Sequence, residues 1–232
     1  MSKKNHEEKD EVIVDIGGTY NQVEQFIEKN KNVMVGGLVA IALVIGGFFA
    51  YNSFYLEPLQ EEASNEIWRA QQYERSDSLE QALYGDGMYM GFEGISDDFG
   101  ATNTGKLANY QMGLVYMRQG EYQLAIDAMD DFKSDDVMAS AIALGVQGDA
   151  YMQLDDPDMA LSKYIAAARR SPNNFTTPIF LKKAGEVAEA LGDYSQAVSL
   201  YEEIEKDYKD TQEGKSIEKF LYRAKTRAAN NG

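Results

Sequence analysis

The sequence contains no cysteine, a single histidine, and only 22 basic residues against 38 acidic ones. Without cysteine there are no disulfides, no thiolate nucleophile and no thiolate metal site. That absence removes chemistry and leaves the redox compartment open. The lone histidine, His6, sits in a charged tail beside Glu7 and Glu8. One imidazole cannot assemble a metal site or an oriented acid-base pair, so it reads as a solvated tail residue. A formal charge of -16 repels phosphate backbones and anionic headgroups, which argues against nucleic acid as a partner. No cofactor, metal or small-molecule substrate is expected, because no stretch converges polar groups on a pocket.

What is present begins with apolar residues. The 232 residues, 44% of them hydrophobic, suffice for one folded body of ordinary size and an anchor. Residues 32–56 carry no charged side chain, and 33–51 are apolar apart from small glycines. At about 1.5 Å of rise per residue, roughly 20 such residues cross the ~30 Å hydrocarbon layer of a bilayer. The preceding 31 residues are too long and too acidic for a secretory leader, so the segment is expected to remain as a transmembrane helix. Lys29 and Lys31 precede it, whereas Glu57, Glu61 and Glu62 follow it, with Arg69 the nearest basic residue beyond. This asymmetry places the N-terminal tail in the cytoplasm and the remainder outside. Tyr51, Phe54 and Tyr55 suit an aromatic belt at the far interface. Gly36 with Ala40, Ala42 with Gly46, and Gly46 with Ala50 have the small-xxx-small spacing that lets a second membrane helix approach. The tail divides into a charged segment, 2–11, and a short amphipathic helix starting near Thr19. Thr19 with Gln22 has capping-box spacing, Val23, Phe26 and Ile27 form one apolar face, and the pattern leaves open a helix that continues through Lys29 and Lys31 toward the membrane.

Internal periodicity organises the rest. Three stretches share one arrangement: ANYQMGLVYMRQGEYQLAIDAMDDF, GVQGDAYMQLDDPDMALSKYIAAARRSP and KKAGEVAEALGDYSQAVSLYEEI. In each, a glycine (Gly113, Gly148, Gly185) stands twelve residues before an alanine (Ala125, Ala160, Ala197), and the copies step by 35 and then 37 residues. The spacing predicts helical hairpins in which the glycine and the alanine meet where two antiparallel helices cross, since bulk there would force the helices apart. Gly120, Asp155-Asp156-Pro157 and Gly192-Asp193 are expected to end each first helix and start the second. Residues 61–84 read as one further helix, and 59–100 as a divergent first hairpin with a short second helix near 91–99. Residues 214–229 read as a helix covering the last apolar face, with Lys215, Lys219, Arg223 and Lys225 on its wet side.

The three-copy pattern resembles the tetratricopeptide repeat. The expected fold is all-α: one N-terminal transmembrane helix, then a tetratricopeptide-repeat α-solenoid with a C-terminal capping helix. The expected divisions are 1–31 tail, 32–56 membrane helix, 57–105 divergent hairpin and linker, 106–212 three repeats, and 213–232 capping helix and tail. The layout as a whole resembles the YfgM-like ancillary subunits of the bacterial Sec translocon, and the stretch GFEGISDDFGATNTGKLANYQMG is similar to that family's linker and first helix. The resemblance implies an inner-membrane protein with a periplasmic repeat domain. It also implies protein partners: the translocon channel, a periplasmic prolyl-isomerase-like chaperone, and unfolded clients.

Two phosphate-loop lookalikes fail on context. Gly100 to Lys106 has G-x-x-x-x-G-K spacing, but Leu107 takes the place of the metal-binding hydroxyl and no strand feeds the loop. VIVDIGGT, at 12–19, runs into the membrane segment before a nucleotide fold could form. The pairs Asp130-Asp131 and Asp135-Asp136 lack the glycine turn and terminal glutamate of a calcium loop. For binding, the first helix of each hairpin is expected to line a concave face, exposing Tyr110, Leu114 and Met117, then Asp149, Met152 and Gln153, then Lys182, Glu186 and Glu189. Methionine adapts to varied ligands. The apolar trio has a second reading, packing against the divergent hairpin. The function expected is a non-enzymatic protein-binding scaffold, either a translocon accessory or a structural adaptor in another envelope assembly.

Overall fold

The computed structural model describes residues 16–231, with side chains placed from residue 24 to residue 230. The charged segment 2–11, His6, and the side chains of Thr19, Gln22 and Val23 lie outside that range. All regular structure among the described residues is helical. The chain forms two compact units, Met1–Tyr55 and Leu56–Gly232.

The first unit is dominated by α1, Ile16–Tyr51. Nothing in 20–31 caps or breaks a helix, so the short tail helix and the apolar segment are one element instead of two. Asn30 turns its side chain back onto the Phe26 carbonyl (2.8 Å). The helix is apolar on every side: Val33, Leu38, Leu43, Val44 and Phe49 are all more than 60% exposed. A helix greasy all round needs an apolar surrounding to cover it. It is long and apolar enough to cross a membrane, with a mean hydropathy of 2.5 over its most apolar 18 residues. A π-helical stretch, Asn52–Leu56, follows it, and Tyr51 stacks on Tyr55 at 5.3 Å.

The second unit begins with α2 (Glu57–Arg75), α3 (Leu79–Tyr84) and α4 (Phe92–Phe99). The single helix expected over 61–84 is therefore broken. At the break Asp77 takes a left-handed backbone (φ 62°), and the Ser78 amide returns to the Tyr73 carbonyl (2.8 Å). No glycine or proline announces this turn; Arg118 pins it through Asp77 (2.6 Å) and Glu74 (3.7 Å).

Three hairpins follow: α5 (Asn103–Gln119) with α6 (Tyr122–Asp131), α7 (Val137–Gln153) with α8 (Pro157–Arg170), and α9 (Thr176–Leu191) with α10 (Tyr194–Asp207). Each packs on the next in chain order. Their turns are built alike. Gly120 (φ 81°), Asp155 (φ 58°) and Gly192 (φ 84°) occupy the left-handed region. The next residue's amide then reaches back to Tyr116, Tyr151 or Ala188, at 2.9, 3.0 and 2.9 Å. This is the Schellman closure of a helix end. Asp156 and Asp193 cap the second helices by accepting from Met159 (3.1 Å) and Gln196 (2.9 Å).

The glycines expected at the crossings are buried, yet what sits on them is not the alanine. A side chain at Gly113 would meet Met129 Cε at 2.7 Å, at Gly148 Tyr164 Cε1 at 2.6 Å, and at Gly185 Tyr201 Cε1 at 2.3 Å. The facing residue comes sixteen positions after the glycine, one helical turn beyond Ala125, Ala160 or Ala197. Those alanines are fully buried; being short, they let the larger neighbour one turn on lie across the glycine. The capping stretch also departs from expectation. It forms α11 (Gln212–Ser216) and α12 (Glu218–Asn231), divided at Ile217, and α12 packs against α10.

The buried apolar residues fall into two clusters. One runs from Ala63 on α2 to Ala128 on α6, the other from Ala141 on α7 to Ala224 on α12. The seam between them lies where α6 meets α7.

The glycine contacts predict unequal tolerance. Alanine favours a helix over glycine by about 0.5–1 kcal/mol, but overpacking costs about 1–3 kcal/mol where neighbours cannot yield. Tyr201 is fully buried and its hydroxyl is bonded to Glu189, so Gly185→Ala should lower stability, by a few degrees in Tm. At Gly113 the neighbour is a flexible methionine, so Gly113→Ala should shift Tm by less than half as much. Thermal unfolding of the full-length protein in detergent, followed by circular dichroism, checks both.

Candidate protein-binding surface

The first helices α5, α7 and α9 carry every residue expected on the binding face, but their surroundings differ. On α5, Tyr110, Leu114 and Met117 are half-buried. Tyr110 lies against Phe132, with ring centroids 5.2 Å apart, and Met117 packs on the first core cluster. Part of this trio thus serves packing. On α7, Met152 and Gln153 are exposed. On α9, Glu186 is exposed and pairs with Lys182 at 3.7 Å, and Lys182 also lies over the Phe220 ring of α12 (4.7 Å).

Asp149 and Glu189 act as links between hairpins. Asp149 accepts from the Tyr164 hydroxyl of its own hairpin (2.5 Å) and from Lys183 of the next (2.5 and 2.8 Å). Burial, and then the bond to Asp149, push the Tyr164 hydroxyl pKa far above its ordinary value. Glu189 does not face a groove: it is 5% exposed, and this corrects its expected role. It accepts from Tyr201 (2.9 Å), from Arg223 (2.9 and 2.7 Å) and from Arg227 (3.2 Å). Arg223, expected on the wet side of the cap, is therefore its docking group. Asp149 with Lys183, Glu189 with Arg223, and Arg169 with Glu203 are each separated by 34 residues. Ion pairs at this constant separation, close to the repeat steps of 35 and 37, thus join one hairpin to the next element.

The amides at 102–106 of the phosphate-loop lookalike are taken up by its own chain. The Asn103 and Thr104 amides donate to Gln60 Oε1 of α2 (2.8 and 3.2 Å), and the Gly105 amide donates to Thr102 (2.9 Å). No amide among these is free to hold an anion. Among the described residues no cluster of three or more histidine or acidic side chains could hold a metal. On α1, Gly36, Ala40, Ala42, Gly46 and Ala50 are exposed, and nothing lies within 4 Å of a side chain built at Gly36 or Gly46.

The tetratricopeptide repeat family model matches residues 107–136 and 183–211, the first and third hairpins. These stretches are tetratricopeptide repeats. The middle hairpin keeps the same turn closure and the same glycine contact between them. The chain is also similar to a solved structure described as the crystal structure of MamA protein, with TM-score 0.51 and 17% identity over 73% of this chain and 91% of that one. At that identity the likeness is one of fold alone. No curated protein matches in sequence. The second unit is an all-α tetratricopeptide-repeat solenoid, a module suited to binding proteins.

What sequence reasoning missed is the polar joinery. Tyr164 and Tyr201 recur sixteen residues after their glycines, and acid-base pairs recur at 34; both spacings were there to be counted.

Glu189 makes stability pH-dependent. Burial alone would raise its pKa, but the bonds from Arg223 and Tyr201 and the charges of Arg223 and Arg227 outweigh it, so the value falls below the ordinary 4.5. A depressed carboxyl contributes stability that is complete above the unfolded value and is lost as pH falls through the folded one. Glu189→Gln should cost about 1–2 kcal/mol at pH 7, the arginines being half-exposed and partly screened. Below pH 4.5 the gap between wild type and variant should narrow, as read by Tm measured from pH 7 to pH 3.

Proposed function

We propose that this chain is a single-pass, membrane-anchored scaffold that binds proteins through the first helices of its repeats. The observation that carries the reading is the joint presence of an exposed apolar helix of membrane-crossing length and tetratricopeptide hairpins in one polypeptide. A span fixes the chain at a lipid boundary. A repeat stack presents a continuous surface on which a partner chain can lie. The lysines before the span and glutamates after it support a cytoplasmic N-terminus, with the repeat domain on the outer face of a bacterial inner membrane.

Within that reading, the chain is an accessory subunit of the Sec translocon that assists secretion or folding of translocated proteins together with a periplasmic prolyl-isomerase-like chaperone. Support comes from the resemblance of the layout and of the 91–113 stretch to the YfgM-like subunits. The second reading, a structural adaptor in a division, cell-wall or secretion assembly, draws on the same anchor and repeats with a fixed partner. The chain needs no catalytic group for either role.

A photocrosslinking amino acid placed at Tyr110, Met152 or Glu186 in the full-length protein in cells separates them. The translocon reading expects adducts with the channel or a periplasmic chaperone, recovered after gentle solubilisation. Adducts confined to subunits of another envelope assembly would favour the adaptor, and none at any of the three positions would count against both.

A further inference from the structure

The seam between the two core clusters holds a cavity of about 380 Å³, within the ~300–1,000 Å³ range of ligand clefts. It opens between the N-terminal end of α5, the 132–135 connection, α7 and the C-terminal end of α8. Its floor is polar in one unusual way. Gln147 is 2% exposed, and its Nε2 donates to Asp130 Oδ1 at 2.8 Å. That bond fixes the amide's orientation, because the reverse would set two acceptors face to face. Gln147 Oε1 is then buried against the cavity with no donor among the described residues. A buried acceptor of this kind calls for a donor from outside the fold.

The rim supplies the complementary chemistry. Lys106 and Arg170 line the cavity, and neither side chain forms a hydrogen bond or ion pair among the described residues. Two acids also line the cavity: Asp130, already engaged by Gln147 and by Lys163 at 3.7 Å, and Asp135. Phe132 and Leu144 add an apolar wall. In a protein of net charge -16, a lining of three cations, Lys106, Lys133 and Arg170, against two acids around a buried acceptor marks a place for a ligand that is anionic at its edges and carries a donor at its centre. A peptide backbone with acidic side chains has both.

We infer that this cavity binds an extended acidic peptide segment, whose backbone amide donates to Gln147 Oε1 while its side-chain carboxylates pair with Lys106 and Arg170. None of the nine first-helix residues proposed above for the binding face lines this cavity, so either site can fail without the other.

The test is fluorescence anisotropy with the full-length protein in detergent micelles. The probe is the fluorescein-labelled, C-terminally amidated peptide Gly-Asp-Glu-Leu-Glu-Asp-Gly, compared with Gly-Asn-Gln-Leu-Gln-Asn-Gly. The acidic peptide should bind, and its neutral analogue should bind at least tenfold more weakly. Lys106→Glu and Arg170→Glu, which break no internal side-chain hydrogen bond or ion pair, should each weaken the acidic peptide at least tenfold, whereas Met152→Ala on the first-helix face should leave it within twofold. Methylating the peptide amides one at a time should reveal one position that costs tenfold or more with wild-type protein, without any need for a buried Gln147 variant. Equal binding of the two peptides, indifference to Arg170→Glu, indifference to every methylation, or displacement by inorganic phosphate at matched ionic strength would each overturn the assignment.

Discussion

The fold of the second unit depends on the distance between the two helices of each hairpin, and that distance is set by a glycine lying beneath a large side chain sixteen residues later. At Gly148 and Gly185 the large side chain is a tyrosine ring, close enough that even a methyl group would collide with it. The contact does two things at once. It draws the helices together, so that Ala160 and Ala197 are fully buried. It also delivers a phenol across the crossing to a carboxylate on the first helix, Asp149 or Glu189. Packing and polar bonding are thereby coupled in the same side chain.

From those carboxylates the stack propagates. Asp149 takes Lys183 of the following hairpin, and Glu189 takes Arg223 of the capping helix. Both carboxylates are engaged by the next element, so much of the polar character of the first helices serves assembly of the solenoid. The first hairpin lacks this device: Leu114 stands where Asp149 does in the second, and Met129 replaces the tyrosine. Its link to the second hairpin runs through Gln147 and Asp130, and there the core divides and a cavity opens. An opening at the seam where the core divides fits the view that binding sites, such as the one inferred here, draw on the less stable parts of a fold.

Much of this was legible in the residues. The helical hairpins, their turns at Gly120, Asp155 and Gly192, and the apolar helix follow from small-residue spacing, turn chemistry and hydropathy, all of which act locally. The misreadings share a physical cause. Which side chain leans over a glycine depends on reach as well as position, so the partner lay one turn past the alanine. The break after Arg75 uses Asp77 in a conformation that asparagine and aspartate tolerate but rarely advertise. Glu189 looked exposed because helical spacing places it on an outward face, and only the arrival of α12, carrying Arg223 from 34 residues on, buries it. Gln147 gave a faint signal, a lone amide within a run of small apolar residues.

The central claim, that the glycine and its facing ring together set the hairpin spacing, is tested most directly by a double-mutant cycle at Gly185 and Tyr201. Gly185→Ala, Tyr201→Leu and the double variant would be compared by urea unfolding of the full-length protein in detergent. If the pair acts as one packing unit, removing the ring should relieve the strain of the added methyl, and the double variant should be more stable than the summed single effects by about 1 kcal/mol or more. Additive effects, within about 0.3 kcal/mol, would show that the two positions are energetically independent and would contradict the account.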